Sequence, residues 1–398
     1  MKQAKLILPI IVISQFCGTS LWFAGNGVMS DLMATFDLKS GALGHLTSAV
    51  QFGFIFGTLT FAILTIADRF SPSKVFFTCA LLGSLFNIGV LWDGNSLVTI
   101  ISLRFITGFF LAGIYPVGMK IAADYYEKGL GKSLGYLVGA LVVGTSFPHL
   151  AKEMTSTFPW KFVLILTSSL ALLGGLLMLK MVPNGPYRRP GKKLDLSAFF
   201  SVFRNRKFRT ASFGYFGHMW ELYAFWAFVP IILKTYNLKH PETAFNVPLY
   251  SFLIIGIGGL ACVLSGYLAQ ISGTKRLAFI ALLLSCTCCL VSPLIFATES
   301  KYLFLGFLFL WGMVVIADSP LFSTLVAQNA SAEIKGTALT IVNCIGFTIT
   351  IISIQILNVL QGKMNPIYIY TLLAFGPILG LIALYERKKQ HLTKPKLH

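Results

Sequence analysis

The chain has 398 residues, of which 56% are hydrophobic and 12% charged, and its mean hydropathy is +0.76. A soluble domain typically carries about 25% charged residues, so this composition excludes a water-soluble globule of this size. The net charge of +18 could indicate a nucleic-acid-binding protein. Most of the basic residues, however, lie in short segments between long apolar runs, as in membrane proteins with positively charged cytoplasmic loops. We therefore expect a membrane protein with no nucleic-acid partner.

Twelve apolar segments approach or exceed the length of about 20 residues that is needed to cross a bilayer. In chain order they are 6–29, 43–67, 75–92, 98–123, 133–154, 160–181, 208–232, 248–271, 277–298, 301–326, 336–360 and 366–386. Backbone groups in lipid must be hydrogen-bonded within their own segment, so the segments are predicted to be helices. The charge distribution places both termini in the cytoplasm, as in a multi-pass protein of the inner (cytoplasmic) membrane, in contact with its lipids.

The longest loop divides the twelve segments into two sets of six. We predict an N-terminal six-helix bundle over 1–181, a cytoplasmic linker over 182–207, a C-terminal six-helix bundle over 208–386 and a basic tail over 387–398. In the linker, Asp195 is placed to cap a short amphipathic helix that ends near Phe203. This segment is interpreted as a hinge between the bundles.

The seven cysteines all fall within apolar runs. An odd number of cysteines buried in helices does not predict a disulfide framework. Cys286, Cys288 and Cys289 lie close together, but no histidine or carboxylate accompanies them. We expect these side chains to pack in the interior, and we predict neither a metal site nor a cofactor.

The two halves repeat each other's landmarks. Gly108 and Pro116 in the fourth segment are eight residues apart, as are Gly312 and Pro320 in the tenth. The equivalent positions lie about 200 residues apart along the chain. The spacing favours duplication of a six-helix unit.

The loops after the second and eighth segments carry a short signature. The stretch GYLAQISGTKR, which begins at Gly266, resembles the loop motif Gly-x-x-x-Asp-Arg-x-Gly-Arg-Arg of the major facilitator superfamily, with Gln270 in place of the acid. The first-half copy keeps the acid and base as Asp68 and Arg69 but lacks both glycines. With the topology, the resemblance covers essentially the whole chain. It implies a secondary transporter of two pseudo-symmetric six-helix bundles, which we expect to be a monomer.

The resemblance implies a gate at the cytoplasmic ends of the helices. Asp68, with Arg69 beside it, would latch the second segment to the start of the eleventh, because a helix N-terminus stabilises a carboxylate by about 0.3–1 kcal/mol. A solvated loop charge is the alternative. Lys120 and Asp124 are spaced four residues apart, which favours an intrahelical ion pair over a gating role.

Three ionisable residues within the apolar segments are candidates for proton coupling, because charges in lipid are costly and usually functional. Glu221 lies near the middle of the seventh segment, and His218, three residues earlier, shares its helix face. Such a pair could exchange a proton or simply fix helix packing. Asp318 precedes Pro320, which can bend the helix and free carbonyl groups beside the carboxylate. Asp318 could therefore bind a proton, sodium or the substrate.

The candidate substrate contacts are one cation and several polar or aromatic side chains. Arg104 and Tyr115 fall on one stripe of the fourth segment, and Arg104 remains charged, so it requires a carboxylate, a substrate anion or carbonyl groups. Snorkelling of Arg104 to the surface is the alternative. The further candidates are Trp22, Asn26, Trp220, Tyr223, Trp311 and Asn343.

These features predict a proton-coupled or facilitative carrier of a small polar solute, anionic or zwitterionic, that works by alternating access. Sodium is the alternative coupling ion. Proton-driven efflux of drugs or metabolites is the first alternative, although the Gly-Pro pair of such antiporters is broken between Gly139 and Pro148. A non-transporting receptor or scaffold is the second. No nucleotide-binding loop or hydrolase motif is present in the sequence, so an enzyme is not predicted.

Overall fold

The computed structural model describes residues 2–39, 41–126, 130–188, 202–330 and 335–385, and these residues form helices and no strands. Within them, nine helices are long and apolar enough to span a membrane, and 6–19 and 369–384 are shorter apolar helices. All twelve predicted segments are helical. Asp195, most of the predicted linker helix and the basic tail lie outside the described residues.

The N-terminal half supplies spans 1–6, which are named here by their order. They are Lys2–Thr19 with Ala24–Gly27 and Met29–Thr35 (span 1), Ala42–Ile63 with Ile66–Arg69 (span 2), Pro72–Gly89 (span 3), Leu97–Leu111 with Tyr115–Tyr125 (span 4), Leu130–Met154 (span 5) and Lys161–Met181 (span 6). The predicted first segment was continuous over 6–29, but the chain leaves the helix after Thr19 and re-enters it at Ala24.

The C-terminal half supplies spans 7–12. They are Arg206–Lys239 (span 7), Val247–Gly256 with Gly258–Ser272 (span 8), Thr274–Phe296 (span 9), Lys301–Ala317 with Ser319–Asn329 (span 10), Lys335–Leu360 (span 11), and the 3-10 turn Ile369–Ala374 with Phe375–Leu384 (span 12). Span 7 extends beyond its predicted apolar core of 208–232. The Asn205 side chain accepts hydrogen bonds from the first backbone amides and starts the helix earlier.

Spans 4 and 10 are interrupted at equivalent places. Pro116 is the second residue of the helix Tyr115–Tyr125, and Pro320 is the second residue of Ser319–Asn329. Proline lacks the amide hydrogen and collides with the preceding turn, so it is tolerated at the start of a helix and breaks its interior. The matching breaks support the sequence repeat.

The halves also share their closest helix contacts. A Cβ on Gly108 would overlap the carbonyl oxygen of Val50 in span 2, and a Cβ on Gly312 would overlap that of Ile254 in span 8. Small residues that let backbones approach are the usual means of packing helices in membranes. The two contacts occupy equivalent positions, which fixes spans 4 and 10 in the same way in each bundle.

The halves meet along two pairs of helices, in which span 2 packs on span 11 and span 5 packs on span 8. In the second pair, Gly139 lies against the backbone of Gly259, and the hydroxyl groups of Tyr136 and Tyr267 are 2.9 Å apart. An even number of spans puts both ends of the chain on one side. We call this side the terminal face and the other side the opposite face.

The glycine contact provides a test of the packing. Gly312→Ala should lower the free energy of unfolding by about 1–3 kcal/mol, because overpacking forces the backbones apart. Gly306→Ala in the same span is the matched control, since its Cβ would have no neighbour within 4 Å. Thermal unfolding in detergent measures both variants. Equal transition temperatures for the two would contradict the close approach of spans 8 and 10.

Candidate functional site

The Arg104 side chain occupies the break in span 1. It is 1% exposed, and its guanidinium donates from Nη1 to Asn87 Oδ1 (2.8 Å) and from Nη2 to the carbonyl oxygens of Leu21 (3.0 Å) and Trp22 (2.6 Å). These carbonyls lie where span 1 is not helical, and Leu21 accepts one long backbone hydrogen bond, from the amide of Ala24 at 3.4 Å. Among the described residues no carboxylate lies within 4 Å of Arg104. The structure thus places Arg104 in the interior, against backbone carbonyls.

An aromatic layer, formed by Trp22, Phe54, Tyr223 and Phe347, crosses the interface between the halves. The Trp22 ring centroid lies 4.8 Å from that of Phe54 and 5.8 Å from those of Tyr223 and Phe347. All four side chains are buried, at 4% exposure or less. The layer therefore joins the two halves by packed aromatic rings in the interior.

The opposite face is held closed by polar contacts between the halves. Gln355 Nε2 donates to Ser48 Oγ (2.8 Å) and to the carbonyl of Gly44 (3.0 Å). Lys234 Nζ donates to Ser30 Oγ at 2.5 Å. These bonds join span 11 to span 2 and span 7 to the end of span 1, so the bundles are drawn together on this side.

A group of tyrosines gathers at the interface next to the aromatic layer. Tyr115 of span 4 lies close enough to Tyr215 and Tyr223 of span 7, and to Cys262 of span 8, to interact with them electrostatically. Within the described residues none of the three tyrosine hydroxyls has a hydrogen-bond partner there. The arrangement brings three tyrosines from both halves close to one another.

Asn343 extends this group along span 11. It lies four residues before Phe347, so the two share a helix face, and its side chain is partly exposed, as is that of Tyr115. Tyr215 was not among the residues that the sequence indicated in span 7, which were His218, Trp220, Glu221 and Tyr223. Its position three residues before His218 was the available signal, because that spacing places both on one face of span 7.

Two buried glutamines were also missed. Gln15 of span 1 and Gln51 of span 2 are 0% exposed, and neither amide has a partner among the described residues. Gln51 falls on the helix face that carries Thr47 and Phe54, of which Thr47 accepts a hydrogen bond from Asn26 at 2.9 Å. Buried polar groups are normally hydrogen-bonded, so both amides are available to a polar ligand or to water.

His218 and Asp318 form a buried pair. His218 Nδ1 lies 2.7 Å from Asp318 Oδ1, and both side chains are 1% exposed. The ring of Tyr215 is 6.0 Å from that of His218. The 2.7 Å separation is within the range of a hydrogen bond between a nitrogen and an oxygen atom.

Glu221 belongs to a different set of contacts. Its Oε1 accepts hydrogen bonds from Ser285 Oγ and Trp311 Nε1, both at 2.6 Å, and it does not bond to His218. The i,i+3 spacing placed the two residues on one face, but spans 9 and 10 offer each a separate partner. Glu221 therefore lies inside the C-terminal half, away from the aromatic layer.

The remaining aromatic candidates are placed within the C-terminal half. Trp311 is fully buried and stacks on Phe225 at 4.5 Å. Trp220 Nε1 donates to the carbonyl of Leu372 in span 12 at 3.0 Å. Neither tryptophan belongs to the aromatic layer, whereas Trp22 and Tyr223 do.

The predicted gating residues cluster at the terminal face. Lys120 Nζ lies 2.7 Å from Asp68 Oδ1 and 4.0 Å from Asp124 Oδ1, so its nearer partner is at the end of span 2 and not on its own helix. Arg69 Nε donates to Thr65 Oγ1 at 3.1 Å. The start of span 11 lies partly outside the described residues, and the latch from Asp68 to that helix stays a prediction.

Arg104 can be tested through stability. Arg104→Met removes the charged donor from the carbonyls of Leu21 and Trp22 and leaves Leu21 the long backbone hydrogen bond. Hydrogen bonds to charged groups contribute about 1.5–3 kcal/mol each. We expect a fall of at least about 2 kcal/mol in the free energy of unfolding. Arg209→Met, which removes an exposed bond to Phe203, is the control. Equal effects of the two variants on thermal unfolding would contradict the role assigned to Arg104.

The comparisons with known proteins agree with this architecture. The structure resembles the proton:xylose symporter XylE (13% identity, TM-score 0.75, 96% of this chain and 95% of that one). It also resembles the human organic anion transporter MFSD10 (14%, 0.73, 96% and 99%) and the nucleoside transporter NupG (16%, 0.71, 96% and 98%). No curated protein sequence matches the chain. The profile of the Major Facilitator Superfamily matches residues 11–354, and the chain therefore belongs to that superfamily of membrane transporters.

Proposed function

We propose that the protein moves a small polar solute by alternating access and couples this movement to protons. The observation that carries the proposal is the buried contact between His218 and Asp318 beside the interface of the two halves. Ionisable groups at membrane depth are expensive to keep and are functional candidates for that reason. A shared proton between a carboxyl and an imidazole can be gained or lost when water reaches the pair.

The pair is connected to the interface through span 8. Asp318 is close enough to Cys262 to interact electrostatically, and Cys262 is likewise close to Tyr115 of the N-terminal half. The backbone of Cys262 also lies against Gly135 of span 5. A rocking of the halves would change these contacts, so the protonation of Asp318 would depend on conformation. Glu221, which is near Asp318, is the second acid of this cluster.

The solute would be recognised by hydroxyl, amide and aromatic groups. Tyr115 and Tyr215 supply hydroxyls, Asn343 supplies an amide, and Trp22 supplies the adjoining ring face. Because Arg104 is bonded to carbonyls of span 1, it gives no support to an anionic solute at this site. The structural neighbours are named for a sugar, organic anions and nucleosides, which leaves the solute class to experiment.

The conformation fits one step of such a cycle. The opposite face is closed by the aromatic layer and by the bonds of Gln355 and Lys234. With the terminal face in the cytoplasm, as the charge bias predicts, closure of the opposite face would belong to the conformation that faces inward. The latch proposed for Asp68 belongs to the reverse conformation, in which the cytoplasmic ends are closed.

Replacement of the carboxyl tests the coupling. In proteoliposomes, Asp318→Asn should abolish solute accumulation driven by a pH gradient, because the amide binds no exchangeable proton. Exchange of labelled for unlabelled solute at equal pH should persist. The solute is first chosen by a thermal-stability screen of sugars, nucleosides, amino acids, organic anions and lipophilic cations, since a ligand stabilises by about 2.7 kcal/mol at a hundredfold excess over its Kd.

Glu221→Gln separates the two acids in the same assay. We expect weaker but measurable coupling, because Glu221 lies farther from the interface. Unchanged pH-driven accumulation in Asp318→Asn would refute the role of the pair, and its loss only in Glu221→Gln would transfer the role to Glu221. Stabilisation by lipophilic cations alone would favour the efflux alternative.

The tyrosine hydroxyls provide a separate test of the solute site. Tyr215→Phe should weaken solute binding by about twofold to tenfold, the equivalent of one neutral hydrogen bond. Tyr302→Phe, whose side chain is 78% exposed, is the control. Binding is measured by the ligand-induced shift in unfolding temperature. A full-strength shift in both Tyr115→Phe and Tyr215→Phe would place the solute elsewhere.

A further inference from the structure

A cavity opens between the halves at the opposite face. Its volume is about 250 Å³, close to the lower size of ligand pockets, which start at roughly 300 Å³. The polar residues that line it are Asn26, Ser30, Asp31, His149, Lys152, Lys234 and Gln361. We call it the outer cavity. The aromatic layer that contains Trp22 lies beyond Asn26 along span 1, so the outer cavity is distinct from the tyrosine group.

The charges in the outer cavity are unbalanced. Lys152 Nζ lies 2.8 Å from Asp31 Oδ1, which accounts for one ammonium group. Lys234 donates to Ser30 Oγ, and within the described residues it has no carboxylate within 4 Å. Two ammonium groups therefore share one carboxylate, and the lining carries an excess of one positive charge even with His149 neutral.

The second feature of the outer cavity is a buried ring nitrogen of His149 that lacks a hydrogen-bond partner among the described residues. The side chain is 3% exposed, it lines the outer cavity, and its Nε2 has no hydrogen-bond partner among the described residues. A buried ring nitrogen without a partner is costly. Lys234 is close enough to His149 to interact with it electrostatically. A ligand that accepts a hydrogen bond from Nε2 and also attracts Lys234 would satisfy both groups.

We propose that the outer cavity is a binding site for a small monoanion, best matched by a carboxylate. One carboxylate oxygen would accept a hydrogen bond from His149 Nε2, and the other would accept one from Lys234 Nζ, in place of Ser30. Lys152 and His149 belong to span 5, whereas Lys234 belongs to span 7. The bound anion would therefore join the two halves and favour closure of this face.

The same chemistry has two sources, which are the carboxyl group of a transported solute and a free inorganic anion. The proposal does not rest on proton coupling or on the tyrosine group, since none of those residues lines the outer cavity. If the anion site fails its test, the proposed transport function is unaffected. If the transport proposal fails, the anion site is unaffected.

The test uses purified protein and an amine-reactive acetylating reagent, with labelling quantified at each lysine by mass spectrometry. Sodium acetate should protect Lys234 from labelling in a saturable manner, while labelling of Lys161 should not change. Lys161 is a matched control because it is a half-exposed lysine paired with Asp93 outside the cavity. It reports any general effect of ionic strength. Sodium phosphate and sodium chloride are run in parallel, and protection by these salts alone would identify a free inorganic anion as the ligand.

Two variants complete the test. Lys234→Met should weaken acetate-induced thermal stabilisation by about tenfold or more, the equivalent of one charge-assisted hydrogen bond, and Lys161→Met should not. His149→Leu should weaken it as well, while His149→Gln, which keeps a donor, should restore part of it. Equal protection of Lys234 and Lys161, or unchanged acetate affinity in Lys234→Met, would overturn the proposal.

Discussion

The architecture depends on the cost of leaving a polar group without a partner inside a membrane. A helix pays no such cost, because each carbonyl is bonded within the segment. Span 1 departs from this rule between Thr19 and Ala24, and Arg104 of span 4 donates hydrogen bonds to the carbonyls of Leu21 and Trp22 there. The Arg104 guanidinium, which the sequence suggested for binding an anionic solute, instead stabilises the break in span 1. In return, the break positions Trp22 at the interface of the halves.

The two halves share their helix contacts and helix breaks but differ in their buried polar groups. Close contacts at Gly108 and Gly312 and breaks before Pro116 and Pro320 repeat in each bundle. The polar interiors differ. In the N-terminal half the Arg104 guanidinium is bonded to neutral oxygens, whereas the C-terminal half contains carboxyl groups in contact with donors. The repeated helix arrangement therefore contains a structural arginine in the N-terminal half and candidate proton-binding carboxyl groups in the C-terminal half.

The contacts between the halves include neutral and charged groups at different places. The aromatic layer of Trp22, Phe54, Tyr223 and Phe347 crosses the interface, and the outer cavity around His149 and Lys234 lies at the opposite face. The tyrosine group beside the layer contributes neutral hydroxyls, whereas the lining of the outer cavity carries an excess of positive charge. The polar solute and the small anion that we propose would therefore bind at different places along the interface.

Hydrophobic segment length was enough to predict the twelve helices, because the bilayer restricts a spanning segment to a helix of nearly fixed length. The family was indicated by the resemblance of the loop motif at Gly266 and Asp68, and the family profile confirms it. The sequence also identified Glu221, His218 and Asp318 as rare ionisable groups at membrane depth. It could not determine their partners. One face of span 7 contacts several neighbouring helices, so His218 meets Asp318 while Glu221 meets Ser285 and Trp311. Only the tertiary structure decided those pairings, the use of Arg104 and the gathering of the tyrosines, because each depends on side chains that are far apart in the chain and a few ångströms apart in space.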